Sequence, residues 1–162
     1  MSDLAVIGGG AAGLFAAGFA AKGGASVTVL ERGTRPARKL LITGKGRCNV
    51  TNNCTPEEFL QNVRTNPRFL YGAASAFTPA DAMAFFESLG VPLKTERGGR
   101  VFPVSDRAAD VADALVRFAK ASGARLEYSA RVSAVLTDGS AVRGVKLEDG
   151  RELPADAALV AT

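Results

Sequence analysis

The sequence has 162 residues, long enough for one domain with a core of its own. With 47% apolar and 22% charged residues it is neither disordered nor fibrous. The net charge is a mild +4, and histidine is absent, which removes the commonest metal ligand and general base; no metal site is expected.

Residues 4–21 are uncharged and largely apolar, which raises a signal or membrane segment. Asp3 stands where a signal peptide carries its basic region, and Gly8, Gly9 and Gly10 would interrupt a spanning helix. The expected arrangement is instead a buried strand at 4–7, a glycine turn, and an alanine-rich helix at 11–22 stopped by Gly23 and Gly24. A second apolar, β-branched run at 27–30 completes a βαβ unit.

Residues 33–53 fit no period. They are predicted to form a long, basic, glycine-bearing loop, and such loops in compact domains are usually functional or disordered. Thr55-Pro56-Glu57-Glu58 and Thr78-Pro79-Ala80-Asp81 both read as helix starts, with an N-cap, a proline at the first position and acids in the first turn. Residues 68–76 are predicted helical, and 92–103 form a hairpin about Gly98-Gly99. Ser105 caps a helix that runs to about residue 122. Strands are predicted at 125–128, 131–136, 142–147 and 157–161, with turns at Asp138-Gly139 and Asp149-Gly150.

Gly8-x-Gly10-x-x-Gly13 lies between the first strand and helix. Gly8 permits the tight turn, Gly10 lets the backbone approach a pyrophosphate, and Gly13 allows the helix to pack on the strand. The helix N-terminus adds free N–H groups and the positive end of a dipole. Glu31 ends the second strand, where a carboxylate can accept both hydroxyls of a ribose. It would repel a 2′-phosphate, which disfavours NADP here even with Arg32 adjacent. The alternative is a chance glycine turn beside a solvated glutamate. These features predict an α/β fold with a Rossmann-type parallel sheet and an antiparallel meander. Residues 1–50 and 105–162 form its core, and about 51–104 form a helical and hairpin cover.

The βαβ unit alone does not separate NAD from FAD. The densest basic group is Arg32, Arg35, Arg38, Lys39, Lys45 and Arg47. A loop of this kind can run along a cofactor that extends beyond its pyrophosphate. Gly44 and Gly46 allow close approach, while Arg38, Lys39, Lys45 and Arg47 offset phosphate charge. The alternative is an exposed basic loop.

The run Arg38-Lys39-Leu40-Leu41-Ile42-Thr43-Gly44-Lys45-Gly46-Arg47-Cys48-Asn49-Val50-Thr51-Asn52 resembles the BaiN/RdsA family of FAD-dependent oxidoreductases, which includes aminoacetone-oxidase-like flavoproteins. Gly8 to Gly13 with Ala12, Glu31-Arg32, and Gly99-Arg100-Val101-Phe102-Pro103 with Ser105 extend the resemblance over the whole chain. It implies FAD as cofactor, with Glu31 on the adenosine ribose. It places Lys39, Thr43, Gly44, Gly46, Arg47, Cys48 and Asn49 along the cofactor toward the flavin. It places the Val132 backbone at the adenine, and Ala161 and Thr162 on a strand that returns to the cofactor.

Members of that family are more than twice as long. The resemblance therefore implies a truncated, N-terminal part that lacks an inserted substrate domain and a C-terminal segment, so that the isolated chain is inactive. The activity implied for the intact enzyme is hydride transfer between an organic small molecule and FAD. NAD(P)H is an admissible electron donor, and nucleic acid is a weaker partner that the charge permits without arguing for it. The rivals are an NAD-binding dehydrogenase domain and a cofactor-binding fragment without turnover. No catalytic acid or base is identifiable. Cys48 reads better as a small residue packed under the loop than as a thiol acting on the flavin. No disulfide framework, membrane partner or export is expected, and the compartment implied is the cytoplasm.

Overall fold

The computed structural model describes residues 3–162. In chain order its elements are β1 (Asp3–Ile7), α1 (Ala11–Lys22), β2 (Ser26–Leu30), α2 (Arg38–Ile42), a 3-10 turn (Thr43–Gly46), β3 (Thr51–Asn52) and α3 (Pro56–Gln61). A second 3-10 turn (Pro67–Leu70), α4 (Tyr71–Ala76), α5 (Pro79–Ser88), β4 (Leu93–Thr95) and β5 (Arg100–Pro103) follow. The last are α6 (Ala108–Ala121), β6 (Arg125–Glu127), β7 (Val132–Asp138), β8 (Ala141–Leu147), β9 (Glu152–Pro154) and β10 (Ala157–Val160). They divide into two compact units: residues 1–39 with 115–162, and residues 40–114.

The first unit is built on a parallel sheet in the order β10-β1-β2-β6. The pleat sends alternate residues of β1 to opposite faces. Val6 meets α1, while Ala5 and Ile7, with Leu30 and Ala158, join Val145, Leu147 and Ala155 in a core beneath the antiparallel meander β7-β8-β9. Both faces of the sheet are thus covered, which is why its strands read as continuous apolar runs. The Leu4-to-Ala21 stretch that could have suggested a membrane segment is divided between β1 and α1. Among the described residues no helix is long and apolar enough to cross a membrane.

The second unit carries the three-stranded sheet β3-β5-β4. The expected hairpin is present as β4 and β5, with Lys94 opposite Phe102. β3 adds to it through Thr51 opposite Val101, a pairing that a two-residue strand does not announce in sequence. Thr55 and Thr78 each form a full capping box, with Glu58 and Asp81 respectively, and Pro56 and Pro79 open α3 and α5 as expected. The core holds Cys48, Val91, Ala108, Val111 and Ala114, with Leu40 and Val50 packed against it. The unit therefore begins near residue 40 rather than 51, because Leu40, Cys48 and Val50 are already part of its interior.

Two local forms differ from expectation. Residues 38–46, read as an extended loop, coil into α2 and a 3-10 turn. Arg, Lys and Leu are good helix formers, but five residues are too few to show a period. Ser105 does not sit at the helix start. Its hydroxyl accepts from the Arg107 N–H and donates to Asp110 in the turn before α6, which begins at Ala108.

Candidate functional site

In the first unit the glycine turn is closed by backbone. Gly8 has φ +109 and its N–H donates to Leu30 O at 2.9 Å. A Cβ on Gly13 would stand 1.9 Å from Gly8 O and 3.3 Å from Val6, so only glycine lets α1 begin this close to β1. This confirms the role read for Gly13 from its spacing. Gly10 is different. It is the N-cap of α1 at φ −78, and a Cβ there would meet no atom within 4 Å. Neither backbone conformation nor neighbouring protein atoms require glycine at this position.

α1 begins with Ala11, Ala12 and Gly13, has no side-chain cap and has no acid in its first turn. The orphan N–H groups and the positive dipole end are thus unopposed by any carboxylate of that turn.

Glu31 lies just past β2, as expected, but its carboxylate already has protein partners. Oε2 accepts from the Gly9 N–H at 2.9 Å and Oε1 from the Gly33 N–H at 2.7 Å. It braces the glycine turn against the turn that follows β2. A carboxylate has about four acceptor directions, so two remain for ribose hydroxyls. Ala37 N donates to Gly9 O at 2.8 Å and ties down the same turn from a third position. Gly9 and Gly33 were not singled out in sequence. Their part is played by backbone N–H groups, which carry no residue signature.

Arg32, Arg38 and Lys39 are exposed on the first unit. Val132, half-buried, opens β7 opposite Leu147 and packs on the sheet core. Ala161 N donates to Ile7 O at 2.9 Å, extending the β1–β10 ladder past Val160, and the Ala161 carbonyl lies where a Gly8 Cβ would fall. Thr162 follows it, exposed.

In the second unit the structure brings the two most distinctive sequence motifs together. Thr43 to Asn49 lies against β5. Gly44 is close enough to the Phe102 ring that a Cβ would stand 3.0 Å away. Val50 N donates to Val101 O at 2.9 Å, and the Asn49 amide nitrogen, in its hydrogen-bonded orientation, donates to Thr51 O and Val101 O. The backbone is left-handed at Gly44, Lys45, Gly46 and Cys48. Gly46 and Lys45 are exposed.

Arg47, expected to offset phosphate charge, is engaged within the protein. Its guanidinium pairs with Glu96 and with Asp106, Nε reaching Asp106 Oδ1 at 2.8 Å, and it lies 4.2 Å above the Phe102 ring centre. Lys94 Nζ adds a 2.7 Å bond to Asp106. The Arg47 hydrogen bond above all holds Glu96 below the usual carboxylate range; Lys94, then Arg47, do the same for Asp106. Glu96 and Asp106 were not found from sequence, since they stand 49 and 59 positions from Arg47 with no spacing rule to link them.

Cys48 is buried in the core of this unit, and burial pushes its thiol up, with the Thr43 side chain offsetting part of that. Both cysteines, Cys48 and the half-buried Cys54, are free. Among the described residues no cluster of potential metal ligands is found.

Residues 2–162 match the family described as the HI0933-like protein Rossmann domain. The chain is 35% identical to the 3-dehydro-bile acid delta(4,6)-reductase of Clostridium scindens, across 99% of this chain and 39% of that protein. It is also 35% identical to the ribosomal RNA dihydrouridine synthase of Escherichia coli, across 70% of this chain and 28% of that protein. It therefore spans well under half the length of these relatives. Among solved structures, a 3-ketosteroid-delta4-(5alpha)-dehydrogenase from Rhodococcus jostii superposes with a TM-score of 0.77 at 20% identity, covering 99% of this chain and 45% of that one. A flavocytochrome c3 fumarate reductase gives 0.74 at 20% identity, covering 99% and 33%. These two share the fold. With the family match running over nearly every residue and the BaiN/RdsA-type relatives agreeing with it, the chain belongs to the HI0933-like Rossmann-domain family.

Proposed function

We propose that this chain holds FAD and supplies the cofactor-binding part of a flavin-dependent oxidoreductase. The observation that carries the reading is the pairing of an uncapped α1 N-terminus, opened by a Gly10 that the fold itself does not require, with Glu31 at the end of β2. Such a terminus suits a pyrophosphate, and the carboxylate suits the adenosine ribose. A Cβ at Gly10 would stand in open space beside the uncapped α1 N-terminus, and with Glu31 alongside the residues present fit the group.

When bound, the flavin supplies the hydride chemistry. The chain's own work is to bind and orient. The turn at residues 8–13 takes the phosphates, and Glu31 fixes the ribose. Arg32, Arg35, Arg38, Lys39 and Lys45 are the cations of the basic segment that no carboxylate neutralises in the ion pairs of the described residues. Val132, Ala161 and the Thr43-to-Asn49 segment are assigned to the cofactor by the family resemblance. With no histidine, and with Glu31, Glu96 and Asp106 engaged, no residue here is assigned as acid or base. The isolated chain is expected to bind cofactor without turnover.

The bile acid reductase supports an organic small molecule as substrate of the whole protein; NAD(P)H as electron donor rests on the family resemblance alone. The dihydrouridine synthases support an RNA base as the second substrate class. The test is the identity of the ligand released from the purified protein. FAD is expected. FMN alone would overturn the reading, and NAD alone would establish the dehydrogenase-domain alternative.

A further inference from the structure

We propose that Arg47 is a positioning residue, one that clamps the turn at residues 43–48 in shape through Glu96, Asp106 and Phe102 instead of binding a phosphate. The turn's service to a flavin rests on the function proposed above; the clamp itself does not.

The backbone shows why a clamp is needed. Four of the five residues from Gly44 to Cys48 have φ between 55 and 86, and two of these, Lys45 and Cys48, are not glycine. Left-handed conformations at non-glycine residues persist only where surroundings hold them. Where the turn ends, Cys48 N donates to Thr43 O at 3.0 Å and Arg47 N to Gly44 O at 3.3 Å.

Arg47 adds a restraint from outside the turn. Its planar fork spans two carboxylates, one on each of the segments that flank β5, while its face lies on the Phe102 ring from β5 itself. Three separate points of the hairpin region thus hold one side chain. Lys94 bridges the same two carboxylates, at 2.7 Å from Asp106 and 3.7 Å from Glu96, which leaves the cluster with two positive and two negative charges. A phosphate approaching the guanidinium would meet two carboxylates that are already paired with it. The cation that the turn leaves exposed and unpaired in the described ion pairs is Lys45. Cys48, next to Arg47 and only 1% exposed, is the part of the turn whose protection depends on the clamp and can be read directly.

The test uses the protein in a Cys54→Ser background and measures the labelling rate of the Cys48 thiol, together with the absorbance and reduction potential of any bound flavin. Glu96→Gln with Asp106→Asn should speed Cys48 labelling by roughly tenfold, as local opening becomes easier, and shift the flavin spectrum. Arg47→Lys, which keeps charge but loses the fork, should lie between. If the double variant does not fold by circular dichroism, the two single variants carry the same measurement, each removing one anchor. Unchanged labelling overturns the proposal. So does an Arg47 variant that loses cofactor affinity while Cys48 stays protected, the signature of a phosphate ligand. A protein that carries no flavin would end the function proposed above, and the thiol measurement would still decide the clamp.

Discussion

The turn at residues 8–13 and the turn at residues 43–48 both bend the backbone through left-handed conformations, and the two are held by opposite means. The first is shaped by what is missing. Gly8 and Gly13 lack side chains where Ala161 O and Gly8 O would otherwise collide with them, and the Glu31 side chain reaches in to brace it. The second is shaped by what is added, a guanidinium caught between Glu96, Asp106 and an aromatic ring. A turn made by omission keeps its steric limits at any pH or salt concentration, because steric contact does not titrate. A turn made by charges weakens where those charges are neutralised or screened.

Substitutions that add a Cβ test the first half of that contrast, and the largest effect is expected at Gly13. Alanine there would put a carbon 1.9 Å from Gly8 O, a distance that forces α1 off β1. Gly13→Ala should cost about 3 kcal/mol, at the upper end of the range for overpacking, read from denaturant unfolding. A variant as stable as the parent would show that the helix can slide, and that the turn is not sterically fixed.

Glu31→Gln comes next. Glutamine keeps the shape but has one acceptor oxygen, so either the Gly9 or the Gly33 N–H must face an NH2 group. Affinity for FAD should fall by roughly 1–3 kcal/mol, as charge-assisted hydrogen bonds become ordinary ones. The cofactor-free protein should lose about 1 kcal/mol of stability as well, since one brace is gone before any ligand binds. Thermal unfolding with and without FAD separates the two losses. Unchanged affinity would remove Glu31 from the ribose.

Gly10→Ala sharpens the comparison from the other side. The added methyl meets no protein atom within 4 Å, so stability should stay within about 0.5 kcal/mol of the parent. FAD affinity should nonetheless fall by about tenfold, some 1.4 kcal/mol, because the methyl enters the space assigned to the pyrophosphate. An alanine variant that binds FAD equally well would mean that Gly10 serves neither fold nor ligand.

The two turns also differ in how far they can be read in sequence. The first is written in residue types at fixed spacing. Gly8, Gly10 and Gly13 after an apolar run, with Glu31 closing the next, give the βαβ unit, the close helix packing and the place of the carboxylate. The capping boxes at Thr55 and Thr78 are legible for the same reason, since each is complete within four residues. The second turn is written in pairings between positions far apart. Nothing near Arg47 points to Glu96 or Asp106, and the left-handed Lys45 and Cys48 have side chains that argue against such backbone. The meander was legible from its Asp-Gly turns. Its third strand, Glu152–Pro154, was too short to show alternation.

Acid should separate the turns. Glu96 and Asp106 are both held below the ordinary carboxylate range by their hydrogen bonds to Arg47 and Lys94. Their folded pKa values lie below the unfolded ones, so their stabilisation is present above the unfolded values and lost as pH falls through the folded ones. The difference in melting temperature between the parent and Glu96→Gln/Asp106→Asn should therefore be largest near neutrality and close in acid. A gap that persists below the carboxylate range would show that the carboxylates act by packing.

The smallest effect on FAD binding is expected at Cys48, and the pH dependence of its stability effect changes the weight given to that residue. The thiol is buried, mainly desolvation raises its pKa, and no histidine exists to activate it. Cys48→Ala removes one sulfur from a core that keeps Val91, Ala108 and Val111 around it, which should cost about 1 kcal/mol and leave bound FAD in place. The raised folded pKa means that the parent's protonated thiol favours the native state fully below the unfolded thiol value. That contribution is lost as pH rises through the folded one. Alanine does not titrate, so the stability gap between parent and variant should narrow in alkali, measured as melting temperature against pH. If the gap instead widens with pH, the thiolate is stabilised in the folded protein, and Cys48 becomes a candidate for chemistry rather than packing.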